Sequence, residues 1–436
     1  MNLFNRTPYK VAVVSRILNP EEPFLTIVVK GTFQLIENGP CVALPPGKQA
    51  EIGPAIDFED KVGNSRKSDG DTVAFKPRAD CLFVGSAFSP RGAPVQTLEV
   101  AFGVGNMNKT LWVYGDRRWV RGHDGSASME GPATFAEMPI RAELAHGGPT
   151  SAYNRHGIGF GPLGANPGAS MPVANIQERR ATALHFDVDG IPAGFGTLSP
   201  HTKPRVDLAG THDDKWFYRR KPLPPEDFSP EMMCAAPRDQ QIAGYLAGDE
   251  YMTFKNLHPK RPEFYSYLPG RRVRAFINHR PNDGQKEFAE VQTVLDTCLV
   301  DMPAETVTLV WRGSVSTVKG REYDQIEDLL VAEEATHAHL PVIGYQKMIS
   351  EERKILFPRR QPTGPTPEEL EESRRKEREA LDQAADTLIE RGGDPALAEK
   401  VRKAPSLNDA LELLTKEADT IREKAEAFLK VMEAKK

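Results

Sequence analysis

The chain has 436 residues, with 56 basic side chains against 61 acidic ones and a formal net charge of −5. That length holds two or three domains, or one large β-rich domain with an appendage. A hydrophobic share of 39% with 8% aromatics supports a packed core. The near balance of charge argues against general nucleic-acid binding, which needs a concentrated basic excess.

Short basic clusters occur at Arg271-Arg272-Val273-Arg274 and Tyr218-Arg219-Arg220-Lys221, read first as solvated surface and second as anion sites. Cys41, Cys81, Cys234 and Cys298 show no C-x-x-C spacing, so they suggest neither a zinc knuckle nor a redox pair. Four dispersed thiols in a long chain read as buried small hydrophobes in a reducing compartment. Met1 to Tyr9 lacks the apolar stretch of a signal peptide, and no apolar run approaches the roughly 20 residues that span a bilayer. A cytoplasmic location, away from membranes, is expected.

In chain order, Phe24 to Leu35 is β-branched and aromatic, a strong strand signal. Glu37-Asn38-Gly39-Pro40 turns it, because Asn-Gly adopts positive φ readily, and Cys41 to Leu44 returns. Ala79 to Phe88 reads as a strand containing Gly85. Thr97 to Val104 and Lys109 to Tyr114 form a hairpin around Asn106-Met107-Asn108. Leu111 and Val113 then face one way, Trp112 and Tyr114 the other. The glycine- and proline-rich stretch Gly157 to Gly168 breaks both helix and strand; such loops are usually functional or disordered. Irregular chain recurs at Pro192 to Gly196 and Lys221 to Phe228. Glu290 to Asp296 and Thr306 to Trp311 form an antiparallel pair across Asp301-Met302-Pro303-Ala304-Glu305.

Beyond them the pattern turns helical. Ile326, Leu329 and Leu330 mark a helix face within Asp324 to Leu340. Phe357 to Pro365 is a linker. Thr366-Pro367-Glu368-Glu369 opens a helix with a capping threonine, proline at the first helical position and acids in the first turn. From there to Lys436 the chain reads as three charge-laced helices, broken at Gly392-Gly393-Asp394-Pro395 and Ala404-Pro405-Ser406. Their thin apolar stripe (Leu411, Leu413, Leu414, Ile421, Phe428, Leu429) suits docking or a small bundle. The expected organisation is a β-rich unit over 1–356 with room for a break near 145–200, a linker over 357–365, and a helical extension over 366–436.

No assembled catalytic set emerges. Gly103-Val104-Gly105 lacks the third glycine and the helix of a dinucleotide fingerprint, and Gly157 to Gly164 lacks the ending of a phosphate loop. His337 and His339, on the expected helix, would point to different faces and read as exposed. His212-Asp213-Asp214 reads as a turn before a cation site. Ser86, Ser151 and Ser199 sit in no Gly-x-Ser-x-Gly frame. What remains is an arginine–tryptophan signal at Gly115-Asp116-Arg117-Arg118-Trp119, with Trp119 either capping a sheet or anchoring an interface.

An ordered series of motifs then carries a resemblance. It comprises Ile27 to Phe33, Phe75-Lys76-Pro77-Arg78-Ala79-Asp80 running on to Ala87, Val113 to Trp119, Phe135 to Ile140 and Asn166-Pro167-Gly168. It continues through Pro192 to Gly196, Gly210 to Trp216, Pro225 to Phe228, Ala235 to Gln241, Leu246 to Glu250 and Leu309-Val310-Trp311-Arg312. Over residues 1 to about 350 this series resembles a family of unknown-function domains encoded beside type VI secretion effectors. Two positions depart from that pattern. Ala145-His146-Gly147-Gly148 stands where Ala-Phe-Gly-Gly is expected, and Ala174-Asn175-Ile176-Gln177 where Pro-Asn-Ile-Glu is.

The resemblance implies a non-enzymatic adaptor or chaperone with no catalytic residues, cofactor or metal. Its partners would be a secreted effector with a PAAR-like domain and, directly or through that effector, the VgrG spike. The residues it singles out for interaction or structure are Lys76, Asp80, Gly115, Asp116, Arg117, Trp119, Pro139, Gly147, Gly148, Asn166, Trp216, Trp311 and Arg312. The alternatives are a hydrolase of envelope polysaccharide or lipid, and a structural spike or baseplate component. The expected fold is mainly β, in antiparallel sandwich- or barrel-like sheets with long Gly/Pro-rich loops, plus C-terminal helices.

Overall fold

The computed structural model describes residues 1–18, 23–178, 189–279, 287–317, 325–356 and 367–433. It divides into two compact units, Met1–Arg353 and Lys354–Lys436. The first is mainly β. Its principal strands are β1 (Asn2–Asn5), β2 (Lys10–Arg16), β3 (Phe24–Gln34), β4 (Ala79–Val84), β5 (Thr97–Val104) and β6 (Met107–Tyr114). Next come β7 (Arg117–Arg121), β8 (Ala127–Glu130), β9 (Ser170–Val173), β10 (Ile176–Gln177), β11 (Gln241–Ile242) and β12 (Tyr251–Lys255). The series ends with β13 (Glu263–Tyr267), β14 (Arg271–His279), β15 (Glu287–Val291), β16 (Thr293–Asp301), β17 (Thr306–Ser316) and β18 (Ile326–Ala335).

The largest sheet runs β11-β4-β16-β17-β3-β2, with Val42–Ala43 added beside β3. All its pairings are antiparallel except β4 with β16, which run parallel. A second sheet runs β10-β6-β5-β12-β13. Alternation decides how the two meet. Leu25, Ile27, Val29 and Phe33 of β3, Leu309 and Trp311 of β17, and Cys81 and Phe83 of β4 share one buried cluster with Phe102, Leu111, Val113 and Phe254 of the second sheet. The Phe83 ring lies 5.6 Å from Phe102, and Phe102 lies 5.7 Å from Phe254. Each such side chain contributes roughly 1.5–3 kcal/mol on burial. The arrangement is a sandwich, and the described strands do not close into a barrel.

Two expectations from sequence need correcting. The segment read as a helix around Ile326, Leu329 and Leu330 is strand β18, paired with β14 and β1. Leu329 and Val331 face the main core. Leu330 and Ala332 face the opposite way, against Phe4, Phe276 and the Tyr345 and Ile349 side chains of helix α2 (Val342–Leu356). A strand covered on both faces is a continuous apolar run, and over a few residues that imitates helical spacing. Accordingly His337 and His339 lie in the irregular chain after β18, not on a helix. Both are exposed; His337 sits 3.2 Å from Asp249, and His339 receives a guanidinium N–H of Arg272 at 3.4 Å.

Neither α2 nor β14 is among the elements expected from sequence, and Arg274, in the cluster read first as solvated surface, is buried in β14; the other differences in the expected elements are of boundary. The 79–88 strand is interrupted at Gly85, after which Ser86–Phe88 pairs with Glu137–Pro139. The late antiparallel pair begins at Thr293 and runs on to Ser316, and Glu290 belongs to β15. The 97–114 hairpin turns at Gly105-Asn106. In the 157–168 loop, Ile158–Gly159 pairs in parallel with His146–Gly147, and Leu163 is buried.

The second unit contains α3 (Pro367–Glu390), α4 (Pro395–Arg402) and α5 (Leu407–Glu433), packed on Leu381, Ala385, Ala398, Val401, Ala404 and Ala410. Asp394 caps α4 by accepting from Ala396 N at 2.9 Å. The linker and the capping threonine Thr366 lie outside the described residues. No described helix is long and apolar enough to cross a membrane.

Candidate functional site

The face of the large sheet turned away from the main core carries buried charges beside an apolar patch at Leu82 and Leu299, and the motifs meet there. β4 presents Asp80 and β16 presents Thr297, its registered neighbour. β17 presents Arg312, and a bulge in β16 between Leu295 and Thr297 re-aims Asp296 toward it. Lys76 donates to Asp80 Oδ2 at 2.6 Å and to Thr297 Oγ1 at 2.8 Å. Thr297 donates onward to Asp296 Oδ1 at 2.8 Å, and Arg312 pairs with that same oxygen. A second Arg312 nitrogen donates to the Asp71 carbonyl at 2.7 Å, and the Asp71 carboxylate accepts from Lys30 at 2.7 Å.

Three cations and three carboxylates therefore alternate along one connected line. Lys76, Asp80, Asp296 and Arg312 are buried. Burying such charges costs several kcal/mol apiece unless each is paired and hydrogen-bonded. Here that is nearly complete: Asp80 also accepts from Ala235 N at 2.8 Å and Ala236 N at 3.1 Å. Asp296 Oδ2 and Arg312 Nε are buried without a hydrogen-bond partner.

Neighbouring motifs lock onto the same strands. Gln240 donates to the carbonyls of Cys81 at 2.9 Å and Phe195 at 3.0 Å, which ties Ala235–Gln241 to Pro192–Gly196. The Tyr245 hydroxyl donates to the Lys76 carbonyl at 2.9 Å. Trp311, on the core side, stacks on Tyr9 with ring centroids 5.6 Å apart. All four cysteines are buried free thiols, and burial pushes Cys41 and Cys234 up to about 11. Thiols held protonated in this way are inert.

A second cluster surrounds Gly115. Its backbone lies so close to the Ala133 carbonyl that a Cβ would fall 1.9 Å from that oxygen. Asp116 is exposed, and its Oδ1 accepts from the buried Asn175 at 3.0 Å. The buried Arg117 donates to the Ala174 carbonyl at 2.6 Å and lies 3.9 Å over the Tyr114 ring. Burial pulls its guanidinium below the usual arginine range, and Tyr114 opposes the shift. Trp119 is half-buried on the middle strand of the β8-β7-β9 sheet, opposite Met129 and Met171. Gly147 meets the Asn154 carbonyl, where a Cβ would fall 2.2 Å away, and Gly148 N donates to that carbonyl at 2.9 Å. Pro139 is half-buried opposite Ser86. Asn166 is exposed, its carbonyl accepting from Ala169 N at 3.0 Å.

The third region lies at the surface. Asp213 caps α1 (Asp214–Arg219) by accepting from Trp216 N at 2.8 Å, which settles the His212-Asp213-Asp214 motif as a helix cap. The Asp227 carboxylate accepts from Thr211 N at 2.8 Å and Thr211 Oγ1 at 2.7 Å, so the 210–216 and 225–228 motifs close one loop on each other. Trp216 is half-buried and donates Nε1 to the Leu223 carbonyl at 2.8 Å. Beyond it, Phe217 is 50% exposed and Tyr218 80% exposed. Lys221 lies 4.6 Å over the Phe217 ring. An open cleft of about 400 Å³ adjoins them, lined by Lys215, Trp216, Arg219, Arg220, Glu226 and Asp227 among others.

The structure thus brings Lys76, Asp80 and Arg312 together in the interior, with Trp311 on the far face of the same sheet. It gathers Gly115, Asp116 and Arg117 in a separate packing cluster and leaves Trp216 beside an exposed aromatic ridge. Sequence reasoning singled out none of Asp71, Lys30, Asp296, Thr297, Asn154 and Asn175 as a site residue, although Lys30 and Asn175 stand within the segments compared with the family pattern. For Asp296 a signal existed: a carboxylate inside the run Val294-Leu295-Asp296-Thr297-Cys298 needs a buried cation.

Fold and site together define a β-rich sandwich whose sequence motifs build a buried ionic network and one aromatic surface loop. Residues 21–312 match the family described as "Uncharacterized protein conserved in bacteria (DUF2169)", and the chain belongs to that family. No curated protein and no solved structure matches the chain.

Proposed function

We propose that the chain is a non-enzymatic adaptor or chaperone that binds a type VI secretion effector carrying a PAAR-like domain and promotes its loading onto the VgrG spike. The ordered motif series is the basis for the choice of partner. The observation that carries a binding role is the α1 ridge. Two large aromatics stand exposed beside Arg219, Arg220 and Lys221, on a loop pinned by the Asp213 cap, the Trp216 indole and the Thr211–Asp227 pair. Interface anchors are enriched in aromatic and arginine side chains. A rigid mount lowers the entropy lost on binding.

The test is co-expression with a PAAR-like effector from the same gene neighbourhood. The chain should co-purify with it and raise its soluble yield, and a Phe217→Ala/Tyr218→Ala variant should lose the complex while keeping its melting temperature. Failure of the native chain to form any such complex overturns the reading. Retention of the complex by the double variant moves the binding surface away from α1.

A further inference from the structure

Helix α5 carries an apolar stripe that its own unit covers only in part, at Leu414. Leu407, Leu411, Leu414, Ala418 and Ile421 follow one another at alternating spacings of four and three residues, the heptad spacing of a coiled-coil seam. The sequence continues that spacing at Ala425 and Phe428. The unit's own core takes Ala410 and, in part, Leu413 and Leu414. Leu411 remains 63% exposed and Ile421 60% exposed, and Ala418 is exposed between them. The α3 segment Glu371-Glu372-Ser373-Arg374-Arg375-Lys376-Glu377 offers the stripe no apolar face.

We propose that α5 pairs with α5 of a second copy of this chain as an antiparallel coiled coil centred between Asp419 and Thr420. Size and charge select that occupant. In heptad terms Leu411 and Ala418 occupy the a positions, and Leu407, Leu414 and Ile421 the d positions. Antiparallel pairing about this centre sets each Ala418 against Ile421 of the other copy, small against large. Parallel pairing would set Ala418 against Ala418 and leave a gap beside the leucines.

Charge agrees with size. Flanking the seam on one side are Glu417 and Lys424, which the antiparallel register brings together twice by symmetry. Parallel pairing would instead match Glu417 with Arg422, whose guanidinium already pairs with Glu426 at 3.2 Å in the same helix. A helix of 27 residues is about 40 Å long, enough for a seam of several layers.

The experiment is sedimentation of the full chain. The native protein should be a dimer at micromolar concentration. Ile421→Glu places a carboxylate in the seam of both copies and should weaken dimerisation by about 100-fold or more, with helicity unchanged by circular dichroism. Leu411→Glu, at an independent exposed position, should do the same. Glu417→Lys and Lys424→Glu should each weaken the dimer about 5- to 10-fold, and the double variant should restore it. A monomeric native chain, or a dimer indifferent to both Ile421→Glu and Leu411→Glu, overturns the proposal. Rescue by Glu417→Arg/Arg422→Glu in place of the Lys424 swap overturns the antiparallel register.

Discussion

Lys76 and Asp80 meet at 2.6 Å inside the protein, and both are almost fully withdrawn from water. They stand only four positions apart in sequence, yet the pair is completed from far along the chain by the backbone N–H groups of Ala235 and Ala236 and by Thr297. The carboxylate thus ties the start of β4 to the segment crossing above it.

Removing both partners should therefore cost less than the sum of removing each. Asp80→Ala leaves Lys76 charged and buried and two backbone donors unmet, and should destabilise the first unit by about 3–5 kcal/mol in urea unfolding. The Lys76→Met/Asp80→Ala double variant should lose less than the sum of the single changes. A single-variant loss below about 1 kcal/mol would reject a structural role for the pair.

Gly115 is required by contact with backbone, which cannot swing aside as a side chain can. Gly115→Ala should cost about 3 kcal/mol or more, because the new methyl group must displace the Ala133 carbonyl. Gly196 has open space where its Cβ would stand, so Gly196→Ala should change stability by less than about 1 kcal/mol. Equal effects from the two substitutions would contradict the close approach at Gly115.

The tryptophans should separate by environment. Trp311 is buried against Tyr9 and Phe33, and its replacement by alanine should cost about 3–5 kcal/mol. Trp119, half-buried opposite Met129 and Met171, should cost about half as much, measured by the same unfolding curves. An unchanged melting temperature in Trp119→Ala together with lost effector binding would make Trp119 an interface anchor.

Acid sensitivity should have a contribution from His258. Burial holds its imidazole below the usual histidine range, and Glu305, 3.4 Å from Nε2, opposes the shift. Nδ1 accepts from Lys260 N at 3.2 Å, which requires the neutral ring. Because the folded value lies below the unfolded one, this stability is fully present above about pH 6.5. It declines as pH falls through that value toward the folded one. His258→Phe should flatten the decline in urea midpoint between pH 7.5 and 5. An equally steep decline in the variant would place the acid sensitivity elsewhere.

Much of this architecture could be read locally. The alternation of Leu25, Ile27, Val29 and Phe33 in β3, the 97–114 hairpin and the breaks between the C-terminal helices follow from side-chain periodicity and turn chemistry. Those act over a few residues, so a linear string carries them. The family motifs were equally visible as a string, but their purpose was not. Asp80 could be recognised, whereas its pairing with Ala235 and its link through Thr297 and Asp296 to Arg312 span most of the first unit. β18 shows the same limit. Its Leu329-Leu330-Val331-Ala332 run is apolar throughout because the main core covers one of its faces and α2 the other, and only the tertiary structure supplies that cover. The sequence by itself determined where many segments extend, turn or coil, though not for β18, because local sterics and periodicity govern most of those choices. The tertiary structure alone decided which charges meet in the interior and which aromatics are left to water, because burial belongs to the assembled sheets.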